Sequence, residues 1–532
     1  MVLGRRVRHD ADAMRTSTSS RPVRRLALAA LAAVVATVPA GTGTAIAAPE
    51  RAHPADAIVD SIGVTIHLRF EGTEYDHRFD RRFADGAPSL RSRLRRAGIR
   101  HVRDEMPGQT SSFHDTVLRR HAQLGNDGIR TTMIWDPALG VGSFPTAADC
   151  PAGRPCHTVD GALRRIRRLQ AADAEERGIP KRPLAVEAIE GPNETDGRAW
   201  SFAGRPFPAG TASFQAALHR AVKGNADPEI AALPVIAPSV AVPERVDALG
   251  DLSPSCDLGN MHSYPGGGTP THRLDAGLRG RADGEGHIAL ARSGCPGRPV
   301  AATETGYLYG VNDPATGHPH VPERAGAKYI LRMIFEYARR GVARTMLYEL
   351  LDSSPQRFGL IAEGGRARPA YAAVRNLIDL LDDPGRSFAP ESLDLAVDAD
   401  RPTVHHLLLQ RRDGTFWLAL WNDVPSTQSG AWGAILDRDS SAGVRVALPT
   451  GVREARVYRP SQGVDPIRTV RSPTSLALQA PDDVLLVRID NGRRAVPARP
   501  SARTCPRPSR RAKAERRRDR SAARALACRR GA

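Results

Sequence analysis

The feature that most constrains this fold is a regular alternation of short apolar runs with longer amphipathic stretches between residues 58 and 381. Apolar residues in the longer stretches recur with a period near 3.6, which is typical of helices. Strands that alternate with helices predict a parallel sheet, and eight such units close a (β/α)8 barrel. The helical stretches are 90–97, 113–124, 161–176 and 325–339, and the eight runs are 62–68, 101–103, 131–135, 184–189, 235–238, 258–262, 300–303 and 345–348.

The pattern changes after Asp382-Asp383-Pro384-Gly385. Runs 404–410 and 416–421 flank Asp413-Gly414, and an Asp-Gly pair between two such runs is typical of a β-hairpin. Short strand-like runs of this kind predict an antiparallel β-sandwich that follows the barrel. The sequence shows no repeat of solenoid spacing. The further strand-like runs are 444–448, 455–458 and 484–489.

The N-terminus carries the pattern of an export signal. Basic residues at 21–25 precede an apolar stretch at 26–38 and the small-residue sequence Ala45-Ile46-Ala47. We expect cleavage near Ala47 and secretion, with a retained signal anchor as the alternative. No other stretch reaches the ~18 apolar residues of a membrane helix, so no membrane span is expected in the mature chain.

These boundaries divide the chain into five parts. We expect a signal and N-terminal extension at 1–47, a linker at 48–57, the barrel at 58–384, the sandwich at 385–492 and a basic tail at 493–532.

The net charge of +18 comes from the two ends of the chain. Residues 1–47 hold seven Arg against two Asp, and residues 493–532 hold fifteen Lys and Arg against two acids, which together account for all of it. The body is therefore neutral, which argues against a nucleic-acid partner. The tail is a candidate for contact with anionic cell-wall polymers, and equally for a solvated extension without function.

Six cysteines in an exported chain predict disulfides. Cys150 and Cys156 could close a small loop. Cys256 and Cys295 precede the sixth and seventh runs, so they come into bonding range if those runs are neighbouring parallel strands. Cys505 and Cys528 would then close the tail into a loop. No CxxC pair supports a thiolate metal site.

Two glutamates stand where strands are expected to end. Glu194 follows the fourth run in Gly-Pro-Asn-Glu, and Glu304 follows the seventh in Glu-Thr-Gly-Tyr. A lone glutamate there often only caps the next helix. Two carboxylates at the C-terminal ends of barrel strands can instead cleave a glycosidic bond, one as acid and the other as nucleophile or base. The other polar residues at strand ends are Arg103, Trp135, Asn193, His262, Tyr264 and Glu349.

The Asn193-Glu194 pair and Glu304 resemble the signature of the clan A retaining glycoside hydrolases, with no family of the clan resolved. Members are (β/α)8 barrels with Asn-Glu at the end of strand four and Glu at the end of strand seven. The resemblance covers roughly residues 58–381 and implies that Glu194 is the acid/base, that Glu304 is the nucleophile and that Asn193 binds substrate.

Three further residues match the same clan. His262 and Tyr264 look like its strand-six pair, in which the Tyr hydrogen-bonds the nucleophile, and Arg103 resembles the strand-two Arg that keeps the nucleophile ionised. Physical chemistry agrees, because a nucleophilic carboxylate needs its charged form whereas an acid/base needs a raised pKa.

The chain departs from the clan at strand eight, where Tyr348-Glu349 stands in place of the usual Trp. Tyr348 could serve as an aromatic platform and Glu349 could bind sugar hydroxyls. Trp135 and His67 are candidates for further walls of the site, or equally for the core.

The sequence therefore predicts a secreted, monomeric, retaining β-glycoside hydrolase that needs no cofactor or metal. A catalytically silent carbohydrate-binding barrel and a transglycosylase remain alternatives. No G-x-S-x-G elbow supports a serine hydrolase, and the adjacent His405 and His406 should point to opposite faces of a strand, so they cannot share a metal ion. Aromatic residues make up only 5% of the chain, which argues against a long stacking cleft and favours a packing role for the sandwich.

Overall fold

A computed structural model describes residues 48–107, 113–137, 143–152, 156–275, 277–278, 286–310, 319–353, 356–429 and 435–492. The predicted signal, the basic tail and the pair Cys505 and Cys528 lie outside them. Among the described helices, none is both long and apolar enough to cross a membrane.

The barrel is an eight-stranded parallel sheet, as the sequence predicts. Strands one to five and strands six to eight pair in chain order, strand eight pairs with strand one, and a parallel bridge from Ile236 to Leu258 joins strand five to the start of strand six. The (β/α)8 fold is thus confirmed. In chain order the strands are Ile62–Thr65, His101–Glu105, Arg130–Ile134, Val186–Glu190, Val235–Ile236, Gly259–His262, Val300–Thr305 and Val342–Leu347.

Helices surround this sheet, and those over the four predicted amphipathic stretches are confirmed. The remaining described helices were not predicted from the sequence, among them Pro369–Leu381, whose apolar residues also recur with a helical period. The helices are Ala55–Ser61, Glu74–His77, Leu90–Arg96, His114–Asn126, Val159–Glu176, Ala209–Lys223, Pro228–Ala231, Val246–Leu249, His287–Gly294, Glu323–Arg339 and Pro369–Leu381.

Two disulfides lie in the barrel. Cys150 pairs with Cys156, and Cys256 pairs with Cys295 at a Cα–Cα distance of 6.4 Å. The second pair is possible because strands six and seven are neighbours, with Gly259 opposite Val300. Both predicted pairings within the described residues are confirmed.

Two antiparallel sheets form the predicted sandwich. The expected hairpin is present, with Arg411 N–H donating to the carbonyl of Thr415 at 2.9 Å across the Asp-Gly turn. One sheet contains Ala48–Arg51, Ser392–Ala399, Ser441–Ala447 and Ser475–Pro481, and the other contains His53–Pro54, Val404–Gln410, Phe416–Asn422, Leu485–Asp490, Glu454–Tyr458 and Arg468–Arg471.

The assignment of residues 48–57 as a linker is wrong. Ala48–Arg51 pairs antiparallel with Ser392–Ala399, and His53–Pro54 pairs parallel with the end of Val404–Gln410. Each short strand covers the exposed edge of one sheet, where unpaired backbone groups need a partner. The described part of the chain therefore contributes two strands to the sandwich before it enters the barrel.

The six-stranded sheet is shared between the sandwich and the barrel. In Phe416–Asn422 the residues Phe416, Leu418 and Leu420 join the sandwich core, whereas the alternate residues Trp417, Ala419 and Trp421 join the barrel core. This alternation follows from the two-residue period of a strand and explains why every residue of this run is buried. The sandwich is consequently a structural layer against the barrel helix Glu323–Arg339.

The same helix makes ion pairs across this interface. Lys328 is buried, and its Nζ donates to Asp482 Oδ2 at 3.0 Å and to Asp439 Oδ1 at 2.6 Å. Farther along the helix, Glu336 accepts a hydrogen bond from Trp421 Nε1 at 2.6 Å. Since Lys328 and Asp482 have almost no solvent exposure, each needs the other for charge compensation.

We expect Lys328→Ala to lower the free energy of unfolding by about 3–5 kcal/mol, because it leaves the buried Asp482 carboxylate without its cation. Arg324→Ala removes an exposed partner of Asp439 and should cost about 1 kcal/mol or less. Urea unfolding followed by circular dichroism measures both. Equal losses in the two variants would contradict the assigned role of the interface pair.

Candidate active site

Arg103 lies at the centre of the polar cluster inside the barrel. It is fully buried, and its guanidinium Nη1 donates to Glu304 Oε1 at 2.7 Å. Its Nε and Nη2 donate to the two oxygens of Glu190 at 2.7 and 2.8 Å, and Nη2 also donates to Asn193 Oδ1 at 2.7 Å. The planar fork of an arginine is suited to this bidentate contact, so a single side chain aligns strands two, four and seven.

The carboxylate of Glu304 projects from the end of strand seven. Its Oε2 accepts a hydrogen bond from the Tyr264 hydroxyl at 2.8 Å, while Oε1 is bound by Arg103. Gly306 follows closely, and a Cβ there would lie 2.4 Å from the carbonyl oxygen of Tyr348. The Glu-Thr-Gly sequence therefore lets strands seven and eight approach each other beside this carboxylate.

Glu194 occupies a strained backbone position after strand four. Its φ of 48° and ψ of 45° lie in the left-handed region, which costs a residue other than glycine roughly 1–2 kcal/mol. Ser239 holds this conformation, because its carbonyl and its hydroxyl each lie 3.2 Å from the Glu194 N–H. Such strain is concentrated at functional sites, where it aims a side chain. The Glu194 side chain is 35% exposed and the Glu304 side chain 12%.

His262 bridges the two glutamates. Its Nδ1 lies 2.7 Å from Glu194 Oε1 and 3.5 Å from Glu304 Oε2, and its Nε2 lies 3.1 Å from Thr303 Oγ1. Atoms of these three side chains fall within 4.8 Å of one another. Two carboxylates at this separation can act on the same bond of a ligand.

The pKa of Glu194 differs from the expectation of a raised value. Burial raises this pKa, but the hydrogen bond and the positive charge of His262 outweigh burial and hold it below its usual range. The pKa of His262 is raised in turn, because Glu304 and Glu194 overcome the lowering that burial causes. The lowered pKa of Glu194 and the raised pKa of His262 favour the imidazole over the carboxyl group as the site of a shared proton.

Strand eight places Tyr348 beside this cluster. Its ring makes edge contacts with His67 at 5.6 Å and with Tyr264 at 6.3 Å between centroids. The Tyr348 ring therefore lies beside the polar cluster that contains the two candidate catalytic carboxylates, where the sequence predicts an aromatic platform. Phe358, which sequence reasoning missed, packs against both Tyr264 and Tyr348 from the following segment.

Two of the predicted residues do not face the site. Trp135 is completely buried, and its Nε1 donates to the carbonyl of Phe144 at 3.0 Å, so it belongs to the core. Glu349 is also completely buried, and it accepts hydrogen bonds from Ser353 and lies 3.2 Å from His67 Nε2. It therefore supports His67, which is itself buried, and does not bind a sugar hydroxyl. Both side chains leave the ends of their strands toward the protein interior.

Glu190 is the functional neighbour that sequence reasoning missed. It is fully buried, forms the paired contact with Arg103 and accepts hydrogen bonds from Asn260 and Thr303. The signal available was two acids, Glu187 and Glu190, in a strand that is otherwise apolar, since burying a charge requires a partner. Asp136 and Arg198 form a second pair that was missed, with Asp136 accepting from the N–H of Asn193 at 2.9 Å.

Three groups of side chains could supply ligands to a metal ion among the described residues. They are Glu194, His262 and Glu304; His67, Asp104 and Glu105; and Glu336, His405 and Asp423. The neighbouring His406 faces away from the third group and contacts Glu50 at 3.0 Å, as expected for adjacent residues of a strand. Arg103 and Arg69 already neutralise carboxylates of the first two groups, which disfavours a further cation.

Comparison with known proteins finds similarity only among solved structures. No protein-family model and no curated protein matches the chain. A family 51 α-L-arabinofuranosidase from Bifidobacterium longum is 14% identical, with 83% of this chain and 97% of that chain covered and a TM-score of 0.47. An endo-β1,6-glucanase is 11% identical over 84% and 94% of the two chains with a TM-score of 0.41.

A third structure, the catalytic domain of a mannanase from Streptomyces sp. SirexAA-E, is 13% identical over 61% of this chain and 84% of that chain, with a TM-score of 0.33. Identities and TM-scores this low carry no information about activity or substrate.

We expect His262 to titrate above pH 6.5 in ring-proton NMR, because its pKa is raised by the two glutamates. In Glu194→Gln the pKa should fall, since the hydrogen-bonded anion is lost while burial still disfavours the imidazolium. Glu71→Gln, at an exposed position, should leave the titration unchanged. An unaltered His262 pKa in Glu194→Gln would show that the two groups are not coupled.

Proposed function

We propose that this protein is a secreted glycoside hydrolase that cleaves β-linked poly- or oligosaccharides with retention of configuration. Glu304 acts as the nucleophile and Glu194 as the general acid and base. The observation that carries the proposal is the convergence of both carboxylates on His262, with their atoms within 4.8 Å of one another. Retaining enzymes hold the two carboxyl groups roughly 5–5.5 Å apart, whereas inverting enzymes leave a wider gap for water.

The two glutamates differ in ways that suit these roles. Glu304 receives hydrogen bonds on both oxygens, from Arg103 and from Tyr264, and is the less exposed of the two. Donors aimed at a carboxylate stabilise its charge and orient it for attack. Glu194 is more exposed and contacts His262, whose raised pKa favours a proton beside the carboxylate, so it can reach a leaving oxygen with a proton donor next to it.

The double displacement follows from this arrangement. Glu304 attacks the anomeric carbon while the proton of the Glu194–His262 pair passes through Glu194 to the leaving oxygen. The negative charge of Glu304 disappears in the glycosyl-enzyme, and Glu194 then removes a proton from the attacking water. Asn193, held by Arg103 and Ser239, is positioned to bind the sugar.

The two disulfides support secretion, because such bonds persist in oxidising compartments. The monomeric state and a contact of the tail with the cell wall remain predictions.

The direct test is release of reducing ends from β-glucans, mannans, xylans, galactans and aryl β-glycosides by the mature protein. We expect Glu304→Gln to abolish turnover, and Glu194→Gln to lower it by roughly 10²–10⁴-fold where the leaving group needs a proton. Glu175→Gln, on the exposed surface of an outer helix, is the matched control and should retain full activity.

Proton NMR of the first-formed product decides the stereochemistry. Retention is expected, and inversion would contradict a nucleophilic Glu304. Equal activity in the wild type and both glutamine variants would contradict the proposed catalytic roles. Binding without turnover would favour the catalytically silent barrel.

A further inference from the structure

A second carboxylate, Glu105, lies on the wall next to the candidate catalytic pair. It stands two residues after Arg103 on strand two, so the two side chains share a face of that strand. Its side chain is 11% exposed, close to the 12% of Glu304. Glu105 is therefore nearly buried, but its side chain retains a small exposed surface.

Among the residues that the structure describes, only one oxygen of this carboxylate has a partner. Oε2 accepts a hydrogen bond from Arg69 Nε at 2.9 Å and lies 3.5 Å from His67 Nδ1. Oε1 makes no hydrogen bond with any described residue. It retains some solvent exposure, so it is not a buried acceptor without a partner. A nearly buried acceptor that remains accessible is available to a ligand.

The surroundings keep Glu105 ionised. Burial raises its pKa, but His67 and Arg69 outweigh burial and hold the pKa well below its usual range. Burial lowers the pKa of His67, but Glu105 and Glu349 raise it to about 10, so the imidazole stays protonated at neutral pH. An ionised carboxylate can only accept hydrogen bonds, so the ligand group that meets Oε1 must be a donor.

Tyr348 connects this wall to the nucleophile. Burial raises the pKa of its phenol, and the negative charges of Glu349, Glu304 and Glu105 raise it further. The hydroxyl is therefore influenced by the charges of both Glu304 and Glu105. The ring also contacts His67 and Tyr264, and Tyr264 binds Glu304. A sugar that rests against Tyr348 with its anomeric carbon at Glu304 thus has Glu105 as a neighbour.

We propose that Glu105 is a specificity-determining residue that accepts a hydrogen bond from a hydroxyl of the sugar beside Tyr348 and selects neutral sugars over uronic acids there. This inference rests on the proposed function. Two contributions give this selection. Oε1 attracts a hydroxyl donor, because it is an acceptor without a partner among the described residues. A sugar carboxylate would be repelled by the Glu105 carboxylate, because Arg69 already pairs with Glu105. Without a hydroxyl donor, the desolvated acceptor would remain unpaired.

The test uses the aryl glycoside that the wild type cleaves best, its monodeoxy analogues and the matching glucuronide. For the wild type we expect one deoxy analogue to lose at least about ten-fold in kcat/KM, as for a hydrogen bond to a charged group. The glucuronide should be cleaved at least as poorly. Glu105→Gln should lose a similar factor on the parent glycoside and lose little more on that analogue.

A purely structural Glu105 gives a different pattern. The fold losses in kcat/KM from Glu105→Gln and from each deoxy substitution would then multiply, and that result would overturn the inference. A wild type that tolerates every deoxy analogue, or that tolerates the glucuronide, would also overturn it. Glu71→Gln serves as the control at an exposed position nearby. The analogue series of the wild type needs no variant, so tolerance of every deoxy analogue would overturn the inference even if Glu105→Gln does not fold.

Failure of the proposed function is distinguishable. If the wild type cleaves no glycoside and calorimetric titration detects no binding of the parent monosaccharides, both proposals are overturned. If cleavage occurs and Glu304→Gln abolishes it, comparison of the deoxy series between the wild type and Glu105→Gln decides the role of Glu105.

Discussion

The buried guanidinium of Arg103 is the interaction on which the rest of the site depends. It is bound to Glu190 on strand four, to Glu304 on strand seven and to the Asn193 side chain that precedes Glu194. Each of these groups would carry a large desolvation cost alone in the barrel interior. Because one cation compensates them together, the geometry of the two candidate catalytic glutamates is tied to the closure of the barrel itself.

Every second side chain of strand two, from His101 to Glu105, is ionisable and has an ionisable partner. His101 pairs with Glu187 at 2.7 Å, Arg103 with Glu190 and Glu304, and Glu105 with His67 and Arg69. Barrel interiors are usually filled by branched apolar residues, and well-packed apolar residues are often at least as stabilising as buried ion pairs. The barrel therefore accepts a stability cost along this face. A site that must hold several ionised groups in fixed positions is a physical reason for that cost.

Periodicity in the sequence was sufficient to locate all eight barrel strands, because an apolar run next to an amphipathic stretch is a local signal. The site residues at the strand ends followed from the barrel. Partners were harder to predict: the strand at Ala48–Arg51 pairs with a segment far along the chain, and Glu190 acquires its role only when strands two and four meet. The directions of Trp135 and Glu349 could not be inferred, because alternation no longer applies where a strand ends.

The His262 imidazole links the structure to the proposed sequence of chemical steps. Its raised pKa and the lowered pKa of Glu194 favour the imidazole as the site of a shared proton, and a cation between two carboxylates relieves the mutual repulsion that two bare carboxylates would have. In the proposed mechanism, a sugar that enters between the glutamates would displace water and weaken screening, which would favour transfer of the proton to Glu194. The glycosyl-enzyme would then have one negative charge fewer beside His262. The same imidazole would hold the proton in the free protein, release it for departure of the leaving group and accept it again when Glu194 activates water.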